Sequence, residues 1–62
     1  MNGVVKEQIL AIRNTGKANM LDASLVKLLA EQEGYYELVL YLEHHREAYG
    51  RFILTGKTDD DA

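Results

Sequence analysis

The chain has no cysteine, no proline and no tryptophan, and its single phenylalanine is Phe52. Without cysteine there can be no disulfide and no thiolate metal ligand, and the redox compartment is left open. Without proline no helix has a built-in interruption. The longest apolar run is Leu38 to Leu42, far short of the roughly 20 residues that span a bilayer. The opening Met1-Asn2-Gly3-Val4-Val5-Lys6-Glu7 has no apolar core of the kind secretory signals need, so the expected location is the cytoplasm. A cationic excess is missing too. The net charge of −3 comes from Asp59, Asp60 and Asp61, before which acidic and basic residues cancel. General binding to a duplex backbone is therefore not expected.

What is present is apolar. Hydrophobic residues make up 47% of only 62 positions. A chain this short buries about 60% of the surface its unfolded form exposes, and usually leans on a disulfide, a metal or oligomerisation. With the first excluded, self-association is the expected remedy. The reading is one helical domain over residues 1–57 and a disordered acidic tail over 58–62.

Val5, Ile9 and Ile12, flanked by Val4, Gln8 and Leu10, recur as the stripe of a first helix. It should stop near Asn14 or Thr15, with Gly16 in the left-handed position. Lys17, Ala18 and Asn19 form a polar connection. Asn19 or Asp22 can accept from the free amides of the next helix; Asp22 is favoured, with Met20 packed before it. The second helix, about Ala23 to Gln32, should bury Leu25, Val26, Leu28 and Leu29, and Gly34 should end it. From Tyr35 to Leu54 the face positions Leu38, Leu42, His45, Tyr49 and Phe52 run at helical spacing. This predicts one long C-terminal helix of about 30 Å, with Gly50 as the place it could bend and Thr55-Gly56-Lys57 as its end. All five aromatic residues lie on it. The fold class is all-α, a small three-helix domain with a long C-terminal helix, homo-oligomeric.

If the second and third helices pack antiparallel from Gly34, the end of the third overshoots as an arm from about Glu47. That arm would expose Tyr49, Phe52, Ile53 and Leu54, and an exposed apolar patch of this size marks an interface. The expected oligomer interface is Leu38, Leu42, His45, Tyr49, Phe52 and Ile53. The same geometry gathers Glu31, Glu33 and Glu37 at one end and Arg13, Lys17, Arg46, Arg51 and Lys57 at the other.

Most motifs have an ordinary reading that wins. Gly50 with Gly56-Lys57-Thr58 has one residue too many between its glycines for a phosphate-binding loop, and a helix precedes it where a strand is needed. His44 and His45 are adjacent, project about 100° apart and cannot chelate one metal together. His44 or Glu43 with Glu47 offers half a site at most, and no metal is expected. Ser24 has no nucleophile elbow and no carboxylate pair is evidently buried, so neither an enzyme nor a cofactor is expected. A helix-turn-helix reader needs a basic recognition helix, whereas the third helix sets Glu37, Glu43 and Glu47 against Arg46 and Arg51.

Val5-Lys6-Glu7-Gln8-Ile9-Leu10, Arg13-Asn14-Thr15-Gly16 leading to Asn19-Met20, Tyr36-Glu37-Leu38-Val39, and Arg51-Phe52-Ile53-Leu54-Thr55-Gly56 resemble one family over Val4 to Lys57. It is a domain-of-unknown-function family of short proteins from phages, prophages and their Firmicute hosts. The resemblance implies an accessory protein of mobile elements that acts by binding, masking a host factor or sequestering a defence signal; it supplies no catalytic residues.

Within that setting one constellation suggests an anion site: Arg13, Asn14, Thr15, Lys17 and Asn19 beside Arg46, Tyr49 and Arg51. Arginines fork onto phosphates, asparagines read base edges and tyrosines stack on bases. Doubled across a dimer axis, these groups would suit a cyclic dinucleotide. The ordinary reading is loop residues capping helices and arginines paired with Glu43 and Glu47. The expected function is therefore non-enzymatic sequestration of an anionic nucleotide signal. The alternatives are a module that masks a host protein and a small DNA-binding regulator.

Overall fold

Asn2 starts the fold. In the computed structural model, which describes residues 1–56, its Oδ1 accepts from the Val5 amide at 2.8 Å. Helix α1 then runs Gly3–Thr15 and closes on Gly16, whose φ of 69° lies in the left-handed region. That region is costly for any residue with a Cβ, which is why glycine stands there. Helix α2 is Ala23–Glu33, and Asp22 caps it as expected, its Oδ1 accepting from the Leu25 amide at 3.2 Å. Gly34 ends it in the left-handed conformation. Helix α3 is Tyr36–His44 and helix α4 is Arg46–Thr55, ended by Gly56. The acidic tail and Lys57 lie outside the described residues.

The one long C-terminal helix is thus two. The chain breaks at His45, whose φ of −137° and ψ of 45° leave the helical region. Gly50 is not the bend; it lies inside α4. The break needs no glycine or proline because the core drives it. A straight helix would carry Tyr49, Phe52 and Ile53 past the domain into solvent. Turning at His45 buries Tyr49 almost completely, at 1% exposure, and packs Phe52 and Ile53 against the core. Fully burying a large apolar side chain contributes about 1.5–3 kcal/mol, which outweighs the helical hydrogen bonds lost at one corner. The overshooting arm does not exist.

Helix α3 is the hub and packs against each of the other three. The core takes Val5, Ile9 and Ile12 from α1, Val26 and Ala30 from α2, Leu38 and Leu42 from α3, and Tyr49 from α4, with Met1 at its edge. Helix α2 faces it differently from the sequence expectation. Val26 and Ala30 are the buried pair, Leu25 and Leu29 are half-buried, and Leu28 stands half in solvent. Ala30, a methyl group in place of a long side chain, is fully buried.

Two polar contacts join α3 to its neighbours. The Leu38 amide donates to Oε1 of Gln8 at 2.9 Å. Helix α3 has no side-chain cap of its own, so α1 supplies it. Lys27 Nζ meets Glu43 Oε1 at 3.1 Å across α2 and α3, with both side chains partly solvated, a contact worth under about 1 kcal/mol.

Candidate functional site

The break at His45 redistributes the residues singled out from the sequence. Leu38, Leu42 and Tyr49 are buried in the core of a single chain, so they cannot form an interface between copies. His45 is not in an apolar seam: it is exposed at the corner, its ring 5.1 Å from that of Tyr41. Phe52 and Ile53 are half-buried and remain partly available.

The proposed anion constellation separates as well. Tyr49 cannot stack on a base, because it is enclosed and its hydroxyl donates to the Met20 carbonyl at 2.6 Å. Burial pushes its pKa from 10 up to about 12. Thr15 and Asn19 shape the α1–α2 connection. Thr15 Oγ1 donates to the Ile12 carbonyl at 2.6 Å and accepts from the Lys17 amide at 3.2 Å. Asn19 Oδ1 accepts from the Leu21 amide at 3.0 Å. Asn14 and Lys17 are exposed. These are the ordinary turn roles of such residues.

The remaining arginines line two different depressions. One, of about 410 Å³, sits at the α3–α4 corner and is lined by Glu43, His44, His45, Arg46, Glu47, Ala48 and Arg51. Helix α4 starts here without a capping side chain. Arg46 also reaches α2, its Nη2 lying 3.4 Å from Ser24 Oγ. Glu43 and Glu47 set two negative charges among the positive ones. Among the described residues no three histidine, aspartate or glutamate side chains converge as a metal site would require.

The other depression is a groove of about 270 Å³ between α1 and α4, lined by Ile9, Leu10, Arg13, Met20, Phe52, Ile53 and Gly56. Five of its seven residues are apolar and Arg13 is its single charge. Leu54, beside it in sequence, is 72% exposed. The groove exists because the turn at His45 brings Phe52, Ile53 and Gly56 beside Ile9, Leu10 and Arg13, so a continuous helix could not have suggested it. Its one sequence signal was Leu10, an apolar residue off the core face of α1.

The family model for a domain of unknown function, DUF5049, matches residues 1–57, and the chain belongs to that family. No curated protein and no solved structure matches it.

Proposed function

We propose that this DUF5049 member is a non-enzymatic protein-interaction module that receives a segment of a partner in the α1–α4 groove. The carrying observation is the composition of that groove, an apolar floor of Ile9, Leu10, Met20, Phe52 and Ile53 with Arg13 on it. Such a floor suits the apolar face of an amphipathic helix, read through anchors one helical turn apart. Arg13 adds a preference for a carboxylate beside those anchors, because its planar fork matches one. As an accessory protein of a phage or prophage, the chain would mask a protein of the bacterial host in the cytoplasm, and would do so as a self-associated species.

Capture from host lysate on immobilised protein tests this. Leu10→Asp and Arg13→Glu should each abolish capture of a specific partner, while Leu40→Asp, at an exposed position of α3, should not. Identical capture by the Leu10→Asp and wild-type proteins would remove the groove from consideration.

A second reading has one observation in its favour. Arg46, Arg51, His44 and His45 surround the uncapped start of α4, an arrangement that favours an anion such as a cyclic or linear dinucleotide phosphate. On that reading Arg46→Ala weakens binding at least about tenfold. Calorimetry with a nucleotide panel decides it, and no binding tighter than millimolar ends it.

A further inference from the structure

Leu25 and Leu28 are three apart, so on α2 they share one side, and Leu21 precedes them in the turn before the Asp22 cap. Leu21 is 54% exposed and Leu28 50%, and Leu25 is half-buried. The helix's buried residues, Val26 and Ala30, point the other way. Ser24 and Glu31 run along one edge of this leucine strip, seven residues apart and so about 10.5 Å along the axis with nearly the same heading. Arg46 comes to the Ser24 end of that edge, its Nη2 3.4 Å from Ser24 Oγ. At the other end Glu31 is exposed and makes no ion pair within the described residues. The edge therefore carries a cation at the start of α2 and an anion near its finish.

We infer that a second copy of this chain covers the strip, with α2 antiparallel to its counterpart about a two-fold axis between Leu25 and Leu28. A two-fold contact is self-complementary and brings one edge against the same edge reversed. Leu25 then meets the partner's Leu28, and each Glu31 comes to the partner's Arg46 beside the start of the partner's α2. A parallel two-fold pairing would instead set each residue level with its own copy, Glu31 with the partner's Glu31 and Arg46 with the partner's Arg46. The antiparallel arrangement joins unlike charges twice without rearranging the chain. The strip is narrow, so the dimer is weak and concentration-dependent. This names the surface for the self-association in the functional reading. The α1–α4 groove is built from other residues, so either can fail alone.

Sedimentation equilibrium of the full chain, from tens of micromolar to millimolar, tests the pairing, with circular dichroism to confirm unchanged helicity. The wild type should show a monomer–dimer equilibrium, and Leu28→Lys should be monomeric throughout. Glu31→Arg and Arg46→Glu should each weaken the dimer about tenfold, since each sets like charges together at both ends of the contact. The double variant should recover the wild-type constant, and Leu10→Asp, in the groove, should not change it. A wild type that stays monomeric, single charge variants that dimerise as well as wild type, or a double variant that stays weak would each overturn the proposal.

Discussion

The Tyr49 hydroxyl donates to the backbone carbonyl of Met20 at 2.6 Å, tying α4 to the connection between α1 and α2. It is the polar end of the burial that makes the chain turn at His45. Tyr49→Phe keeps the ring and deletes the bond, leaving the Met20 carbonyl short of a donor, at a cost of about 1 kcal/mol. The pH dependence has a definite sign. Folding raises this phenol from 10 to about 12 by desolvation, so below pH 10 both states hold the proton and the group gives no slope. Between 10 and about 12 the unfolded chain ionises first, and stability falls as pH rises. Urea melts across that window should fall more steeply for wild type than for Tyr49→Phe; parallel curves would show that the phenol is not enclosed.

His45 caps α4 without contributing a side-chain hydrogen bond. His45→Asn introduces an acceptor at a true helix start and should stabilise by about 0.5–1 kcal/mol. In an unbroken helix the same change would destabilise, because asparagine competes with the backbone there. The sign of the change in melting temperature separates the two geometries.

Gly50 lies inside α4, and a Cβ built on it meets nothing within 4 Å. Gly50→Ala should therefore add about 0.5–1 kcal/mol of stability. Gly16→Ala is the contrast: its surroundings are equally open, but φ is 69°, and the change should cost about 1–2 kcal/mol. If both substitutions shift denaturant midpoints the same way, the assigned backbone conformations are wrong.

Gln8→Ala should destabilise by about 1 kcal/mol, the usual cost of an N-terminal cap, although Gln8 belongs to a different helix. Gln8→Glu keeps an acceptor and adds a negative charge at the start of α3, so it should preserve stability. Chemical denaturation of the two variants checks this, and equal losses would rule out a capping role.

The sequence was legible where structure is local. Gly16 and Gly34 end helices because only glycine takes the left-handed turn cheaply, and Asp22 caps α2 because its carboxylate reaches amides three residues on; both depend on neighbours alone. The core faces of α1 and α3 followed from the spacing of Val5, Ile9, Ile12, Leu38 and Leu42. The corner at His45 was hidden because the helical repeat of apolar residues runs through it unchanged. What decides that corner is the space beside Met20 that Tyr49 fills, a property of three packed helices. The expected site residues lie apart for the same reason. Tyr49 could look like a stacking platform, and Arg13 like a neighbour of Arg46, only while α4 was taken as a straight continuation. In α2, leucines occur on more than one side, so periodicity could not say that small Ala30 would be buried and Leu28 left out.

Helix α3 has nine residues and no cap of its own, and it touches every other helix. A free helix of that length does not persist in water. Its first turn is completed by Gln8, thirty residues earlier in the chain. Collapse and ordering must therefore reach α1 and α3 together, and no half of this chain can fold ahead of the other. The Leu38 amide should accordingly exchange its hydrogen only when the whole domain opens, at the rate of global unfolding and not of local fraying.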